Sequence, residues 1–504
     1  MSTQATGPKL KSSQAANSSG SKSGEGEKRR LTAVILAAGH GTRMKSPLPK
    51  VLHPVAGRPM IERVIKTVRG LGVDEIRVVL GYGKDLIGPV VTGLGCTIHE
   101  QKEQKGTGHA VLQADLDSIE GDLLILNGDH PLTTSEDLKA IVGEYKDLRC
   151  DLAVVSAVLD EPASFGRIVR HHGELRAIVE VKDASSETLK IREVNTGTYI
   201  GKVEIFRDLL PTVSSHNAQK EYYLTDLISL ALDAKRKVQA ISAKARVARG
   251  VNTQAELALC TRKIYQRKIA SLMENGVVFI EPRSCYIEET VSIGSGSVIY
   301  PNVFMRGTTQ VGRFCVVEPN VFLSESMVGD SCQIKAGSYL ESCIVGTNGR
   351  IGPYARLRPD TILSADVHIG NFVELKKVQM GKGSKANHLT YLGDAEIGEN
   401  VNIGCGTITC NYAVDRKKYK TTIGNDVFVG SDTQFVAPVV IGDGAIIASG
   451  STITQDVPAL ALAVARGRQV NKENYVANKE LMAEASESKS DSQILTAVPN
   501  ANKN

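Results

Sequence analysis

Three stretches of the chain gather residue types that can do chemistry. The first is Leu36-Ala37-Ala38-Gly39-His40-Gly41-Thr42-Arg43-Met44, followed by Pro49-Lys50. Glycines at this spacing let backbone N–H groups close on oxyanions, and Arg43 and Lys50 bring neutralising charge, so the segment reads as a phosphate-binding loop. It lacks the GxxxxGK(S/T) arrangement of a Walker loop, and its G-x-G is not continued by x-x-G as in a dinucleotide fingerprint. The second is Asn127-Gly128-Asp129, a carboxylate at the end of an apolar run; a capping carboxylate is the plainer reading. The third is a pair of polar, basic stretches. One holds Asn371–Lys376 and Lys385–Asp394, the other Thr407–Tyr412 and Arg416–Lys420, with Arg356-Leu357-Arg358-Pro359 before them. His388 stands among these lysines and arginines. An imidazole with a pKa of about 6.5 suits taking a proton from an ammonium group. Tolerated loop decoration is the competing reading for these stretches.

The elements that must position these residues fall into two patterns. From Leu31 to about Val251 strands alternate with helices. Thr32–Ala37, Glu75–Leu80, Leu123–Leu126 and Leu152–Val158 read as strands, Met60–Arg69 as a helix and Gly108–Ala114 as the start of another. That alternation predicts a mostly parallel α/β sheet, with ligands at the carboxyl ends of its strands. Residues 252–276 predict a linking helix: Thr253-x-x-Glu256 is a capping box, Leu257, Cys260, Ile264 and Ile269 form an apolar face, and Gly276 ends it.

Between Val291 and Gly450 an aliphatic residue followed by Gly recurs, often at multiples of six. Ile293-Gly294 and Val311-Gly312 lie 18 residues apart, as do Ile351-Gly352 and Ile369-Gly370; Ile397-Gly398 and Ile403-Gly404 lie six apart. This is the period of a parallel β-helix with three hexapeptides per coil, the aliphatic residues stacking and the glycines easing the corners. The rhythm lapses between Gly370 and Ile397 and between Gly404 and Ile423, which predicts two excursions carrying the polar stretches.

Composition bounds the remainder. At 504 residues two or more domains are expected, and 47 Gly, no Trp and 5% aromatics suit a solenoid filled with Val, Ile and Leu. The net charge of +5 is concentrated in residues 1–30, which carry +4, and the body from there to 470 carries about +2. That is too little for a nucleic-acid footprint, so no nucleic-acid partner is expected. Nine Cys, odd in number and without CxxC spacing, read as reduced thiols and a cytoplasmic location. The longest apolar run is about nine residues, so no membrane span is expected. Residues 1–30 read as a disordered extension and residues 471–504 as a flexible tail.

Taken together, L-A-A-G-x-G-T-R-M…P-K, HLTYLGD (388–394), TCNY (409–412) and GSD…APV (430–439) resemble a bacterial family. It is the bifunctional N-acetylglucosamine-1-phosphate uridylyltransferase/glucosamine-1-phosphate acetyltransferases, and the likeness spans residues 31–469. The resemblance implies a Rossmann-like nucleotidyltransferase domain over 31–251, the linker helix, and a left-handed β-helix acetyltransferase domain over 277–470. That hand comes from the resemblance, since the usual crossover rule would give the opposite. It further implies Leu36, Ala37, Ala38, Gly39 and Arg43 on the uridine nucleotide, Lys50 on phosphate, and Gln101, Gly106 and Thr107 at the uracil. Asn127 and Gly128 would lead into Asp129, which with Asn252 would hold Mg²⁺. Gly166, Glu180 and Asn195 would bind the N-acetylglucosamine end. In the second half Arg358 and Lys376 would bind the sugar phosphate, Tyr391 and Asn402 the sugar, and His388 would be the general base. Cys405, Asn411, Tyr412, Ser431, Ser449 and Arg466 would contact acetyl-CoA, and Lys418 would serve a neighbouring subunit of a homotrimer. Substrates would be UTP, glucosamine 1-phosphate, N-acetylglucosamine 1-phosphate and acetyl-CoA, and the product would feed peptidoglycan and lipid A synthesis. Cys405 and Ser449 stand where the family has a small residue and Ala, and His40 where it often has Lys.

Two other readings compete. A sugar nucleotidyltransferase with a regulatory β-helix would not need HLTYLGD or TCNY. A non-catalytic scaffold sharing both folds need not keep Lys50, Asp129 and Asn252 together.

Overall fold

The computed structural model describes residues 29–494 and divides into two compact units between Arg267 and Lys268. The expected disordered extension, apart from Arg29 and Arg30, lies outside the described residues.

The first unit is built on one nine-stranded sheet. Its strands are β1 (Leu31–Ala37), β2 (Glu75–Leu80), β3 (Thr97–Glu100), β4 (Asp122–Asn127), β5 (Leu152–Val158), β6 (Arg167–His171), β7 (Glu174–Val179), β8 (Glu193–Lys202) and β9 (Val238–Ser242), in the order β9-β5-β8-β4-β1-β2-β3, with the β6–β7 hairpin branching from β8. β1 runs parallel to β2 and β4, but β8 is antiparallel to both neighbours, a reversal the strand–helix alternation does not announce. Successive side chains of a strand point to opposite faces. Ala33, Ile35 and Ala37 therefore join the core under α1 (Met60–Arg69) and α4 (Ser135–Leu148), with α2 (Lys84–Gly93) beside it. Val34 joins the opposite core with α3 (Thr107–Leu112) and α5 (Asp226–Asp233). With both faces covered, β1 and β4 deliver Leu36, Ala37 and Asn127 at the strand ends.

Helix α6 (Gln254–Glu274) starts from the expected capping box, with Glu256 N donating to Thr253 Oγ1 at 3.2 Å and Thr253 N to Glu256 Oε2 at 2.9 Å. Its Cys260 and Ile264 pack with Met44, Val55 and Leu132, while Ile269 and Leu272 belong to the core of the second unit. Gly276 follows at φ +86°.

The second unit is the β-helix. Three columns of short parallel strands stack coil on coil, one pairing Val298↔Val316↔Gln333↔Arg350↔His368↔Lys385↔Asn402. The residue after each points inward: Ile299, Val317, Ile334, Ile351, Ile369 and Ala386 are fully buried in one apolar column. Each coil buries its face only against its neighbours. The repeat glycines serve a different purpose from the one expected. Apart from Gly352, at φ +100°, the corners are turned by other residues at positive φ, such as Asn302, Asn320 and Asp360, whereas the glycine after the aliphatic residue faces the next coil. A Cβ on Gly370 would lie 2.0 Å from the Asn387 carbonyl oxygen.

Only one of the two predicted excursions exists. Between Gly370 and Ile397 the coil continues, since Glu374–Met380 and Tyr391–Ile397 are strands paired in register, Glu374 with Tyr391 and Lys376 with Gly393. The second is real: Ile408 pairs with Gln434, and a small loop closed by the Tyr412↔Lys418 bridge projects between them. The expected flexible tail contains a helix, α7 (Tyr475–Ile494), exposed as far as its side chains are described. Among the described residues no helix is long and apolar enough to cross a membrane.

Candidate active sites

At the carboxyl ends of β1 and β4 lies a cavity of about 410 Å³. Leu36, Ala37, Ala38, Gly39, Lys50, Asn127 and Asp129 line it together with Gln101, Gly106 and Thr107. Gly128 packs behind, its N–H on the Leu36 carbonyl at 2.9 Å. Gln101 is fixed by its backbone N–H on Leu80 O at 2.7 Å, and its amide donates to Gly106 O at 3.1 Å. At Gly106, φ is +111° and a Cβ would come within 2.6 Å of Tyr222 O, so only Gly lets the two loops close.

The charged centre is assembled from three remote places. The Lys50 ammonium makes an ion pair with Asp129 and donates to Asn252 Oδ1 at 3.1 Å, and Arg43 donates to the same oxygen at 2.9 Å. Asn252 is presented by the turn before α6, its backbone N–H on Glu256 Oε2 at 2.7 Å. Burial pushes the Asp129 carboxyl up, but Lys50 and His130 beside it outweigh that and hold it below the usual carboxylate range.

A second cavity of about 200 Å³ shares Leu36, Thr107, Asn127 and His130 with the first and adds Gly166, Glu180 and Asn195. Asn195 donates to Tyr199 Oη at 2.9 Å and accepts from Gly197 N at 2.9 Å, which orients its amide. Burial, with Asp183 and Asp226 nearby, raises the Glu180 carboxyl above its ordinary range. All the residues expected of the first site thus meet in one continuous depression or at its rim. Sequence reasoning missed His130, which lines both cavities, and Tyr199. His130 is adjacent to Asp129, and that adjacency was the only available signal.

The second site occupies coils 356–466 of the β-helix. Arg358 and Lys376 lie on adjacent coils, Arg358 N bonded to Leu375 O at 2.9 Å. Arg358 pairs with Glu374 at 2.9 Å, and Lys376 approaches Asp394 at 3.9 Å. Lys418 reaches in from the loop beside Lys376 and, with burial, pushes that ammonium below its usual range against the pull of Asp394. Lys418 thus stands beside Lys376 of its own chain. Asn411 is buried and bonded to Asp394. Tyr391 is in register with Glu374, and His388 with Asn371 on the neighbouring face, where Asn402 follows Lys385 one coil on. The corner at Leu389-Thr390 joins the two faces. Cys405 and Ser431 continue that corner: Gly406 N bonds Leu389 O, Asp432 N bonds Cys405 O at 2.7 Å, and Gly450, next to Ser449, bonds Ser431 O at 2.8 Å. Arg466 lies beside Gly450, and Tyr412 is exposed on the loop.

Residues 33–187 match the family described as MobA-like NTP transferase domain, residues 282–381 the GMPPB C-terminal domain, and residues 420–455 the bacterial transferase hexapeptide with six repeats. A nucleotidyltransferase module joined to a hexapeptide-repeat solenoid defines a two-module transferase. The bifunctional protein GlmU of Bdellovibrio bacteriovorus is 62% identical over 447 residues, covering 89% of this chain and 98% of that protein. GlmU of Trichlorobacter lovleyi is 48% identical over 89% of this chain and 98% of its own, and that of Carboxydothermus hydrogenoformans 44% over 88% and 100%. The chain belongs to the family of the bifunctional protein GlmU. It is a bifunctional enzyme, a nucleotidyltransferase followed by a hexapeptide acyltransferase whose solenoid is of the left-handed kind.

Proposed function

We propose that the enzyme makes UDP-N-acetylglucosamine in two steps. The second unit acetylates glucosamine 1-phosphate from acetyl-CoA, and the first couples N-acetylglucosamine 1-phosphate to UTP. The observation that carries the uridylyl half is the Lys50–Asp129–Asn252 group at the mouth of the larger cavity. In that half a phosphate oxygen of the sugar attacks the α-phosphorus of UTP and the bond to pyrophosphate breaks, which needs positioning and charge neutralisation rather than a covalent nucleophile. The strand-end loop offers backbone N–H groups to the triphosphate, Gln101, Gly106 and Thr107 face the base, and Glu180 and Asn195 take the sugar in the smaller cavity.

Asp129 and Asn252 would hold Mg²⁺, a hard cation that takes oxygen ligands and substrate phosphates. The donor set fits it: the ammonium of Lys50 already bridges these two oxygens, so the spot favours positive charge. When bound, the ion would neutralise charge on the phosphates, and Lys50 would turn to them.

In the acetyl half, His388 takes a proton from the sugar ammonium, and the free amine attacks the thioester carbonyl. The C–S bond then breaks; of the two protons the nitrogen gives up, His388 passes one to the leaving coenzyme sulfur and the other goes to solvent, leaving the neutral amide. Arg358, Lys376 and Lys418 suit the sugar phosphate, Tyr391 and Asn402 the sugar, and the corner row Cys405, Asn411, Tyr412, Ser431, Ser449 and Arg466 the coenzyme. The hexapeptide solenoid suits an oligomer, and a homotrimer would put a neighbouring copy beside each of these corner sites. The enzyme would work in the cytoplasm on small molecules, supplying peptidoglycan and lipid A precursors. Incubating the purified chain with glucosamine 1-phosphate, acetyl-CoA, UTP and Mg²⁺ tests the whole reading. UDP-N-acetylglucosamine, free thiol and pyrophosphate are expected in equal amounts, and thiol release without pyrophosphate would defeat it.

A further inference from the structure

Tyr199, at 1% exposure, packs its ring in the core with Val34 and Phe206, and it lines the smaller cavity as well. A phenol is an apolar body with one polar tip, and a buried tip needs a hydrogen-bond partner. That partner is Asn195, four residues earlier on β8, whose Nδ2 donates to Tyr199 Oη at 2.9 Å.

Residues four apart on a regular strand are separated by about 13 Å along the chain. A bulge brings these two together: the pairing of β8 with β5 shifts register between Asn195 and Tyr199. Gly197 lies inside the bulge at φ +76°, where a Cβ would run into the Asn127 side chain. Thr196 Oγ1 ties the bulge down by donating to Val155 O at 2.9 Å. The amide of Asn195 then has a defined orientation. Gly197 N–H can only donate, so the atom it meets at 2.9 Å is Oδ1, and the amide nitrogen lies on the side of Tyr199. One amide hydrogen goes to Tyr199 Oη. The other is left for the cavity that Asn195 lines.

We infer that Tyr199 is a positioning residue for uridylyl transfer, its hydroxyl holding the Asn195 amide so that an N–H meets an oxygen of the sugar. The inference rests on the proposed binding of N-acetylglucosamine 1-phosphate by Asn195. Without the hydroxyl the amide keeps its bond to Gly197 but loses the second fixed point, and each arriving ligand has to order it again. The loss falls on the sugar end and spares the nucleotide loop and the charged centre at Asp129.

The test uses the full chain and follows pyrophosphate release with each substrate varied in turn. Phenylalanine keeps the ring that fills the core, so Tyr199→Phe removes the hydroxyl alone. The KM for N-acetylglucosamine 1-phosphate should rise roughly three- to tenfold, as expected for one neutral hydrogen bond, while kcat and the KM for UTP stay within about twofold. In an Asn195→Ala chain the same substitution should add nothing, because the group it positions is gone. A residue that merely fills the core would act alike in both backgrounds. An unchanged sugar-phosphate KM in folded Tyr199→Phe, or effects that add in the double variant, overturns the inference and leaves the sugar reading of Asn195 standing. If Asn195→Ala by itself leaves that KM unchanged, the sugar reading falls and the Tyr199 inference with it.

Discussion

Gly370→Ala isolates the second active site with a single methyl group. Gly370 has no positive φ to exploit; it is small because the next coil passes over it. A Cβ there would lie 2.0 Å from Asn387 O, 2.6 Å from Asn387 C and 2.7 Å from its Cα, all backbone atoms that cannot rotate away. An ordinary carbon–oxygen contact is about 3.3 Å, so the two coils must separate locally by roughly 1 Å. Asn387 precedes His388, which is held in register by Asn371, so the displacement falls on the proposed base. Overpacking of this kind costs about 1–3 kcal/mol, taken up by neighbouring coils, and a 1 Å misplacement of a catalytic group costs about 100-fold in rate. The assay follows thiol release from acetyl-CoA and pyrophosphate release from UTP in one preparation, with circular dichroism to confirm the solenoid. Acetyl turnover should fall about 100-fold while uridylyl turnover stays within twofold or so. Gly143→Ala, on α4 with nothing within 4 Å of the added methyl, is the control and should be silent in both. A folded Gly370→Ala enzyme with normal acetyl turnover would refute the reasoning, as would parallel loss of both activities.

His388→Ala should slow acetyl transfer at saturating substrates by roughly 10²–10⁴-fold, with the deficit shrinking as pH rises and free amine accumulates; a defect confined to KM would point to a propping role instead. Asp129→Ala should stop pyrophosphate release while thiol release continues, and collapse of both in a folded protein would contradict the two-site reading. Asp137, in the first turn of α4, accepts two 2.7 Å bonds from Arg246; burial pushes its carboxyl up, but these bonds and those from Thr134 prevail and hold it low. A depressed folded pKa contributes stability above the unfolded value of about 3.9 and loses it as pH falls through the folded one. Arg246→Leu should therefore cost about 2 kcal/mol at neutral pH, and the gap to the parent should close below pH ~4 in denaturant titrations. A gap independent of pH would deny the charge-assisted pair.

Much of this architecture was legible before any coordinates. Buried strands such as Leu152–Val158 and the amphipathic Met60–Arg69 declare themselves by local period, and Thr253 with Glu256 announces the start of α6. What escaped was non-local. The antiparallel β8 has the same apolar pattern as a parallel strand, and only pairing distinguishes them. The stretch 371–397 loses its Ile/Val–Gly syllable yet keeps its coil, because Leu375, Met380, Ala386 and Leu392 are buried in the interior where Ile or Val stand elsewhere. The site residues could be named by motif, but the convergence of Lys50, Asp129 and Asn252 is a distance between remote positions. His130 was missed because one histidine in a polar stretch looks like any other until its partner is found.

The coil register has a consequence for how such a chain can change length. Up to the Tyr412 loop each position finds its partner 17 or 18 residues on, and across that loop 26, so the solenoid counts in whole turns. Removing a full turn before Arg350 leaves every later side chain on the face it had, and the shortened prism closes as before. Removing six residues instead rotates everything downstream by a third of a turn, carrying the His388 face to where another stood. Inheritance of this half of the molecule is therefore quantised: its viable insertions and deletions come in complete turns or as corner loops like the one at Tyr412.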